Sequence, residues 1–126
     1  MTRGFRGATT VQSNDTNEIL TATEKLLRSS IEKNDIQPED ISHIFFSVTA
    51  DLNACFPAKA VRSIDGFTHV PVMCMQEIDV PNSLEKCIRM MLVAETDLAQ
   101  EKVEHIFLNK AVSLRPDLTK KEGERD

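Results

Sequence analysis

Three charged residues, Arg6, Glu77 and Arg89, stand beside or within apolar stretches of the sequence. Glu77 ends an apolar run that begins at Val70, and Arg89 lies twelve residues after Glu77, inside a second apolar run. Long charged side chains are rarely buried unless they are paired or meet a ligand. One carboxylate and one guanidinium placed in this way predict a pocket for a polar, anionic small molecule.

Arg6 belongs to the first predicted strand, residues 3–11, which is rich in β-formers. Alternation along a regular strand directs its side chain to the face that carries Gly4 and Ala8. These small neighbours leave room beside the guanidinium, which favours a pocket wall. The alternative for all three charged residues is a surface salt bridge, or a side chain whose charged end stays in solvent.

Strands and helices are predicted around these residues from hydrophobic spacing. Strands are predicted at residues 3–11, 41–49, 70–76 and 101–114, and helices at residues 16–33 and 56–62. Asp15 and Glu18 have the spacing of a capping box, and Pro38 predicts one short helical turn. The apolar run at residues 70–76 is typical of a buried strand, although Pro71 favours an edge or a strand start. Residues 84–95 fit a helix or a strand, because their apolar positions satisfy both periods.

The length of 126 residues fits one domain with an ordinary core. Apolar residues are 40% of the chain and charged residues 28%, as in globular proteins. A net charge of −5 argues against nucleic acid and anionic membranes as partners, and no apolar run is long enough to span a bilayer. Apolar residues almost vanish near the end, which predicts a domain over residues 1–115 and a mobile tail over residues 116–126.

The three cysteines form no CxxC pair, and the three histidines share no ligand spacing with them. We therefore expect reduced thiols in a cytoplasmic protein, with no metal and no cofactor. The N-terminus also lacks the apolar segment of a signal peptide. Cys74 as a covalent nucleophile would need a base that no local pattern supplies, so a pocket-lining role is preferred.

Five segments of the chain resemble the AroH-type (type I) chorismate mutases. They read RGFRGATTV from Arg3, LNACFPAKAVR from Leu52, VPVMCMQEIDV from Val70, CIRMML from Cys87 and AVSLRPDL from Ala111. The resemblance covers about residues 3–118 in one register, with almost no gaps. It implies an α+β fold with a mixed β-sheet flanked by helices. It also implies a homotrimer whose sheets form a pseudo-α/β barrel with active sites between subunits, and it favours a strand at residues 84–95, with Arg89 pointing inward.

The chemistry implied by this resemblance is the Claisen rearrangement of chorismate to prephenate, at the branch that leads to phenylalanine and tyrosine. The reaction is intramolecular and needs no base, nucleophile, metal or cofactor, which agrees with the absence of such motifs. An enzyme must hold the compact conformer of chorismate and stabilise the charge that builds on the ether oxygen.

The resemblance also implies roles for individual residues. Arg6 would hold the enolpyruvyl carboxylate, Arg89 would donate to the ether oxygen, and Glu77 would accept from the ring hydroxyl. Further substrate-binding positions would be Met73, Cys74, Met75, Gln76 and Phe107, with Phe56, Ala58, Lys59 and Arg62 from the adjacent subunit and Leu114 and Arg115 at the mouth. Lys59, Arg62 and Arg115 could instead belong to an ordinary solvent-exposed surface with no role in binding.

Two positions depart from the family pattern. Phe107 stands where a tyrosine is usual, so a hydroxyl contact to a carboxylate would be lost. Met73 stands where a threonine is common, which matters little if only its backbone contacts substrate. Two other functions remain open at this point: a non-enzymatic trimeric module that binds a small anion, and an enamine or imine deaminase of a similarly built trimeric family, whose motifs are missing here.

Overall fold

The structure of the protein, a computed structural model, describes residues 1–114. Its strands are β1 (Thr2–Thr10), β2 (Ile41–Val48), β3 (Val72–Gln76), β4 (Cys87–Glu95) and β5 (Ile106–Phe107). Its α-helices are α1 (Thr16–Lys33) and α2 (Ala58–Arg62), and its short 3₁₀ turns are Pro38–Asp40, Gln100–Lys102 and Asn109–Leu114. The predicted tail at residues 116–126 lies outside the described residues.

One five-stranded sheet, in the order β3-β2-β4-β1-β5, forms the centre of the described chain. The strand β4 lies between β1 and β2 and runs antiparallel to both. The outer strands are parallel to their neighbours, β3 to β2 and β5 to β1. The sheet is therefore mixed, and with few helices it confirms the predicted α+β class. Strand β4 also confirms the strand prediction for residues 84–95 from Cys87 onward.

The two faces of the sheet differ in what covers them. Phe5, Phe46 and Leu92 alternate onto one face, where they are fully buried beneath the helices. We call this the covered face. On the other face, which we call the open face, Phe45 and Met91 pair across β2 and β4 and each remains 36% exposed. An open apolar face of this kind is typical of a surface that another chain covers.

Helix α1 begins at a cap that the sequence predicted. Asp15 accepts a hydrogen bond from the backbone N–H of Glu18, which confirms one half of the capping box. Glu18 instead accepts from the backbone of Gln12 and the hydroxyl of Ser13. The bond from Ser13 lowers the pKa of Glu18 below its ordinary value. The carboxylate therefore ties the incoming loop to the helix.

Helix α1 packs closely on β1 because Gly7 has no side chain. A Cβ atom at Gly7 would lie 3.0 Å from Leu26 of α1 and 3.2 Å from Met90 of β4. At the other end of the helix, the buried side chain of Asn34 donates to the carbonyl oxygens of Ser30 and Glu104 and accepts from the N–H of Glu104. These bonds join α1 to the segment that precedes β5.

Strand β3 corrects the prediction of a buried strand at residues 70–76. It is an edge strand, with Met73 61% and Met75 44% exposed, because nothing pairs with its outer side within residues 1–114. The alternative reading from Pro71, an edge or a strand start, is confirmed, since β3 begins at the next residue.

The predicted last strand at residues 101–114 was wrong for most of its length. Only Ile106 and Phe107 pair with β1, opposite Gly7 and Ala8. The chain then turns at Asn109, whose φ is +55° and whose side chain donates to Thr9 and Thr10. This local bonding ends the ladder and starts a 3₁₀ turn, which apolar spacing alone did not reveal. No helix within residues 1–114 is long and apolar enough to cross a membrane.

Candidate active site

Five residues on the open face form what we call the arginine group: Arg6, Ser47, Glu77, Arg89 and Phe107. Strand register brings them together. Arg89 of β4 pairs with Ser47 of β2 on one side and with Ala8 of β1 on the other. Ala8 in turn pairs with Phe107 of β5. Directly paired residues point to the same face. The prediction that Arg6 shares its face with Ala8 therefore agrees with the register.

Glu77 and Arg89 form an ion pair. Glu77 directly follows β3, and its N–H donates to the carbonyl oxygen of Val48 at 2.8 Å, which extends the strand pairing by one residue. Its Oε2 lies 3.2 Å from Nε of Arg89. That Nε–H is buried but is not aimed along a good hydrogen bond, although the distance is short. The side chains stay 25% and 35% exposed, so both can be reached by a ligand.

Arg6 and Phe107 are neighbours at the other side of the group. The guanidinium carbon of Arg6 lies 5.7 Å from the centre of the Phe107 ring, within the range of a cation–π contact. The backbone N–H of Arg6 donates to Nδ1 of His105 at 2.9 Å, which holds the segment before β5 against β1. The ring of Phe107 is buried against Ala8, Cys87 and Ala111. Arg6 is thus placed on an apolar floor at the open face.

A second set of predicted residues, which we call the α2 group, lies elsewhere: Phe56, Ala58, Lys59, Arg62 and Cys74. Phe56 is 74% exposed just before α2, and Lys59 and Arg62 are also exposed. Cys74 pairs with the buried Phe46, so it points to the covered face, opposite to Arg89. Burial raises the pKa of the Cys74 thiol, while a hydrogen bond with the backbone of Ala58 lowers it.

The loop that leads into α2 is held by one asparagine. Asn14 accepts from the N–H groups of Asn53 and Ala54 at 3.0 Å each, and its amide donates to the side chain of Asn53 at 2.7 Å. Hydrogen-bonded loops of this kind lose little freedom when a ligand binds. The position of Phe56 and the α2 group is therefore fixed by contacts with the loop before α1.

The two groups do not converge within one chain. The arginine group occupies the open face, whereas the thiol of Cys74 and helix α2 lie at the covered side of the β3 edge. The exposed Met73, Met75 and Gln76 lie along that edge. Leu114 ends the last 3₁₀ turn, and Arg115 lies outside the described residues. The residues predicted to bind substrate therefore lie at two separate places in the described chain.

Two residues beside Arg89 were missed by the sequence analysis. Ser47 donates its hydroxyl to Oε1 of Glu77 at 2.9 Å. Cys87 is buried next to Arg89; burial raises the pKa of its thiol, and the guanidinium acts in the opposite direction. The alternation of β2 put Ser47 on one face with Phe45, but nothing local placed that face beside Arg89.

A wide groove of 1220 Å³ lies away from both groups, between α1, the loop before β4 and the last 3₁₀ turn. Among the predicted site residues within 1–114, only Leu114 lines it. Its cationic side chains are Lys25 and Lys110, which are exposed, and Lys86, which is half-buried. Residues 1–114 contain no cluster of three histidine, cysteine or acidic side chains that could hold a metal ion.

Comparison with known proteins gives one consistent result. The family described as Chorismate mutase type I matches residues 2–118. The chain is 51% identical over 119 residues to chorismate mutase AroH of Bacillus subtilis (strain 168), covering 94% of each chain. It is 44% identical over 119 residues to the Thermus thermophilus enzyme of the same name, covering 94% of this chain and 97% of that one. A solved chorismate mutase from Clostridium thermocellum superposes with a TM-score of 0.85 at 49% identity, over 88% of this chain and 98% of that one.

Proposed function

Since this chain belongs to the type I chorismate mutase family, we propose that it is an isomerase that converts chorismate into prephenate, in the biosynthesis of phenylalanine and tyrosine. At the site, the observation that supports the proposal most directly is the ion pair of Glu77 and Arg89. The buried Nε of Arg89 lies 3.2 Å from Oε2 of Glu77, but its N–H forms no well-aligned hydrogen bond. A donor fixed before the substrate arrives needs no reorganisation when charge develops.

The proposed mechanism uses the protein only for conformer selection and charge stabilisation. Chorismate carries two carboxylates, a hydroxyl and an enolpyruvyl ether. Arg6 would bind the enolpyruvyl carboxylate, Glu77 would accept from the ring hydroxyl, and Arg89 would donate to the ether oxygen as its bond to the ring breaks. The site would bind chorismate in the compact conformer, which is rare in solution. The guanidinium of Arg89 would then stabilise the transition state more than the ground state.

We further propose that the active site lies between neighbouring chains of a homotrimer. The separation of the arginine group from the α2 group supports this arrangement, because Lys59, Arg62 and Phe56 of one copy would complete the site of the next. The open face also supports it, since Phe45, Met73, Met75 and Met91 are exposed apolar side chains that share this face across β3, β2 and β4. A cytoplasmic location remains a proposal that rests on three free cysteines.

Turnover is measured as loss of chorismate absorbance by the purified protein. We expect Arg89→Ala to lower kcat by roughly 10²–10³-fold or more, as removal of a donor to a developing anion does. Arg89→Lys should also be poor, because an ammonium group cannot reproduce the planar guanidinium fork.

The matched control is Arg28→Ala, which removes an exposed arginine of α1 that pairs with Glu24 and should leave kcat unchanged. Near-normal turnover by Arg89→Ala or Arg89→Lys would remove Arg89 from the mechanism. If the wild-type protein binds prephenate but does not consume chorismate, the anion-binding module is the better description.

A further inference from the structure

Ser47 occupies a position on β2 that links both members of the catalytic ion pair. It lies directly opposite Arg89 in the antiparallel pairing of β2 with β4. Its hydroxyl donates to Oε1 of Glu77 at 2.9 Å, while Oε2 of the same carboxylate lies 3.2 Å from Nε of Arg89. Ser47 is half-buried, so this hydrogen bond is partly shielded from water.

The carboxylate of Glu77 needs an outside restraint to hold one orientation. Its backbone is fixed by the bond to Val48, but three side-chain torsions separate the backbone from the carboxylate oxygens. Ser47 restrains Oε1 and Arg89 restrains Oε2, so the plane of the carboxylate is set by two contacts. Hydrogen bonds to ionised groups are shorter and stronger than neutral ones, which makes the serine an effective restraint.

We propose that Ser47 is a positioning residue of the reaction. Because Ser47 holds Oε1 of Glu77, Arg89 contacts the carboxylate through Oε2 alone. The serine thereby disfavours a bidentate pair in which both carboxylate oxygens bind the guanidinium. The guanidinium then keeps the tilt that presents its remaining N–H groups to the ether oxygen, and Glu77 keeps the orientation that accepts from the ring hydroxyl. This inference rests on the proposed roles of Arg89 and Glu77. Ser47 itself touches no substrate.

The sharpest test is the pair Ser47→Thr and Ser47→Val, because threonine and valine have the same shape and only threonine keeps a hydroxyl. We expect Ser47→Val to lower kcat/KM by about 10-fold or more relative to Ser47→Thr, mostly through kcat, as loss of a hydrogen bond to a charged group does. Equal kcat/KM for the two variants would overturn the proposal. Ser42→Ala, on the same strand and bonded to His43, is the matched control and should be neutral.

A double-mutant cycle separates positioning from a general structural effect. If Ser47 acts through Glu77, then adding Ser47→Ala to Glu77→Ala should change kcat/KM by less than about twofold, since coupled residues are not additive. The same loss in both backgrounds would overturn the proposal. Absent turnover by the wild-type protein would instead refute the proposed function, whereas full activity of Glu77→Ala would leave that function standing but refute the role of Glu77 and, with it, the positioning role of Ser47.

Discussion

Phe107 shows how one substitution can leave packing intact and still alter binding. Its ring is buried and lies under the guanidinium of Arg6, so it supplies the apolar floor of the arginine group. A tyrosine, which is usual at this position in the family, would keep that floor and add one hydrogen-bond donor. A donor that pairs with a substrate carboxylate improves binding more than it changes the barrier of the chemical step.

We therefore expect Phe107→Tyr to lower KM by several-fold, about the effect of one charge-assisted hydrogen bond in a partly wet site, with little change in kcat. Steady-state kinetics on chorismate measure both constants. The thermal midpoint should stay close to that of the wild-type protein, which controls for repacking around Ala8 and Cys87. An unchanged KM would mean that another side chain already supplies the missing contact.

Ser47 and Glu77 illustrate the same point for polar residues. Neither is buried enough to define the core, yet their mutual hydrogen bond and the contact to Arg89 set the geometry on which the proposed rate depends. Small displacements of a positioned donor are costly because electrostatic stabilisation requires the donor to be in place before the charge develops.

Helix α1 is the element that fixes the edge of the sheet where Arg6 and Phe107 lie. Asn34, the residue that caps the end of α1, bonds to Glu104 through both ends of its amide. Glu104 is adjacent to His105, which accepts from the backbone N–H of Arg6. Strand β5 has only two residues and two partners on β1. Such a short strand cannot hold its place by ladder bonds alone, so the asparagine is an important part of its anchor.

We expect Asn34→Ala to lower the free energy of unfolding by about 2–4 kcal/mol, because it removes three side-chain hydrogen bonds, two of which tie down the part-buried backbone of Glu104. Denaturant unfolding at one fixed subunit concentration measures this change. Asn34→Asp keeps the size but loses both donated bonds and should also be destabilising. Asn17→Ala, on the exposed side of the same helix, is the matched control and should stay within about 0.5 kcal/mol. An effect that small for Asn34→Ala would contradict the anchoring role.

At the scale of the whole molecule, the separation of the proposed functional residues supports the proposed homotrimer. The arginine group and the α2 group face different sides of the sheet, so we propose that a complete site takes one group from each of two copies. In a ring of identical chains, each copy can give its arginine group to one neighbour and its α2 group to the other. The exposed edge of β3 and the open apolar face would then be covered by assembly.

Mixed oligomers test this division directly. We expect the Arg89→Ala and Arg62→Ala proteins each to be impaired alone. When equal amounts are unfolded and refolded together, about one quarter of the interfaces should regain activity, because they combine an intact arginine group from one copy with an intact α2 group from the other. The measurement is chorismate turnover before and after mixing.

The matched control for that experiment is a mixture of Arg89→Ala with Glu77→Ala. Both changes lie in the arginine group, so no interface can combine intact halves and no activity should return. Recovery in this control, or none in the first mixture, would show that the site is not divided as proposed.

Local sequence predicted most of the helices and strands, and it marked the charged residues that stand in apolar surroundings as candidates for the site. The helical spacing of α1 is strong because the helix buries one regular stripe, whereas β1 and β2 were predicted from their content of β-formers. The cap at Asp15 follows from side-chain chemistry within a few residues. The resemblance to a family then implied both the fold and the roles of Arg6, Glu77 and Arg89. The family and the mixed sheet are confirmed, whereas the individual roles stay proposals.

Tertiary structure alone decided which residues meet. The placement of β4 between β1 and β2 puts Ser47 beside Arg89, forty-two positions away in sequence, and alternation sends Cys74 to the side opposite Arg89. The residues at 101–114 had apolar spacing typical of a strand, but bonds from Asn109 to Thr9 and Thr10 stop the ladder after Phe107. Strand order and register depend on contacts between distant segments of the chain. The hydrophobic period within one segment therefore cannot predict strand order or register.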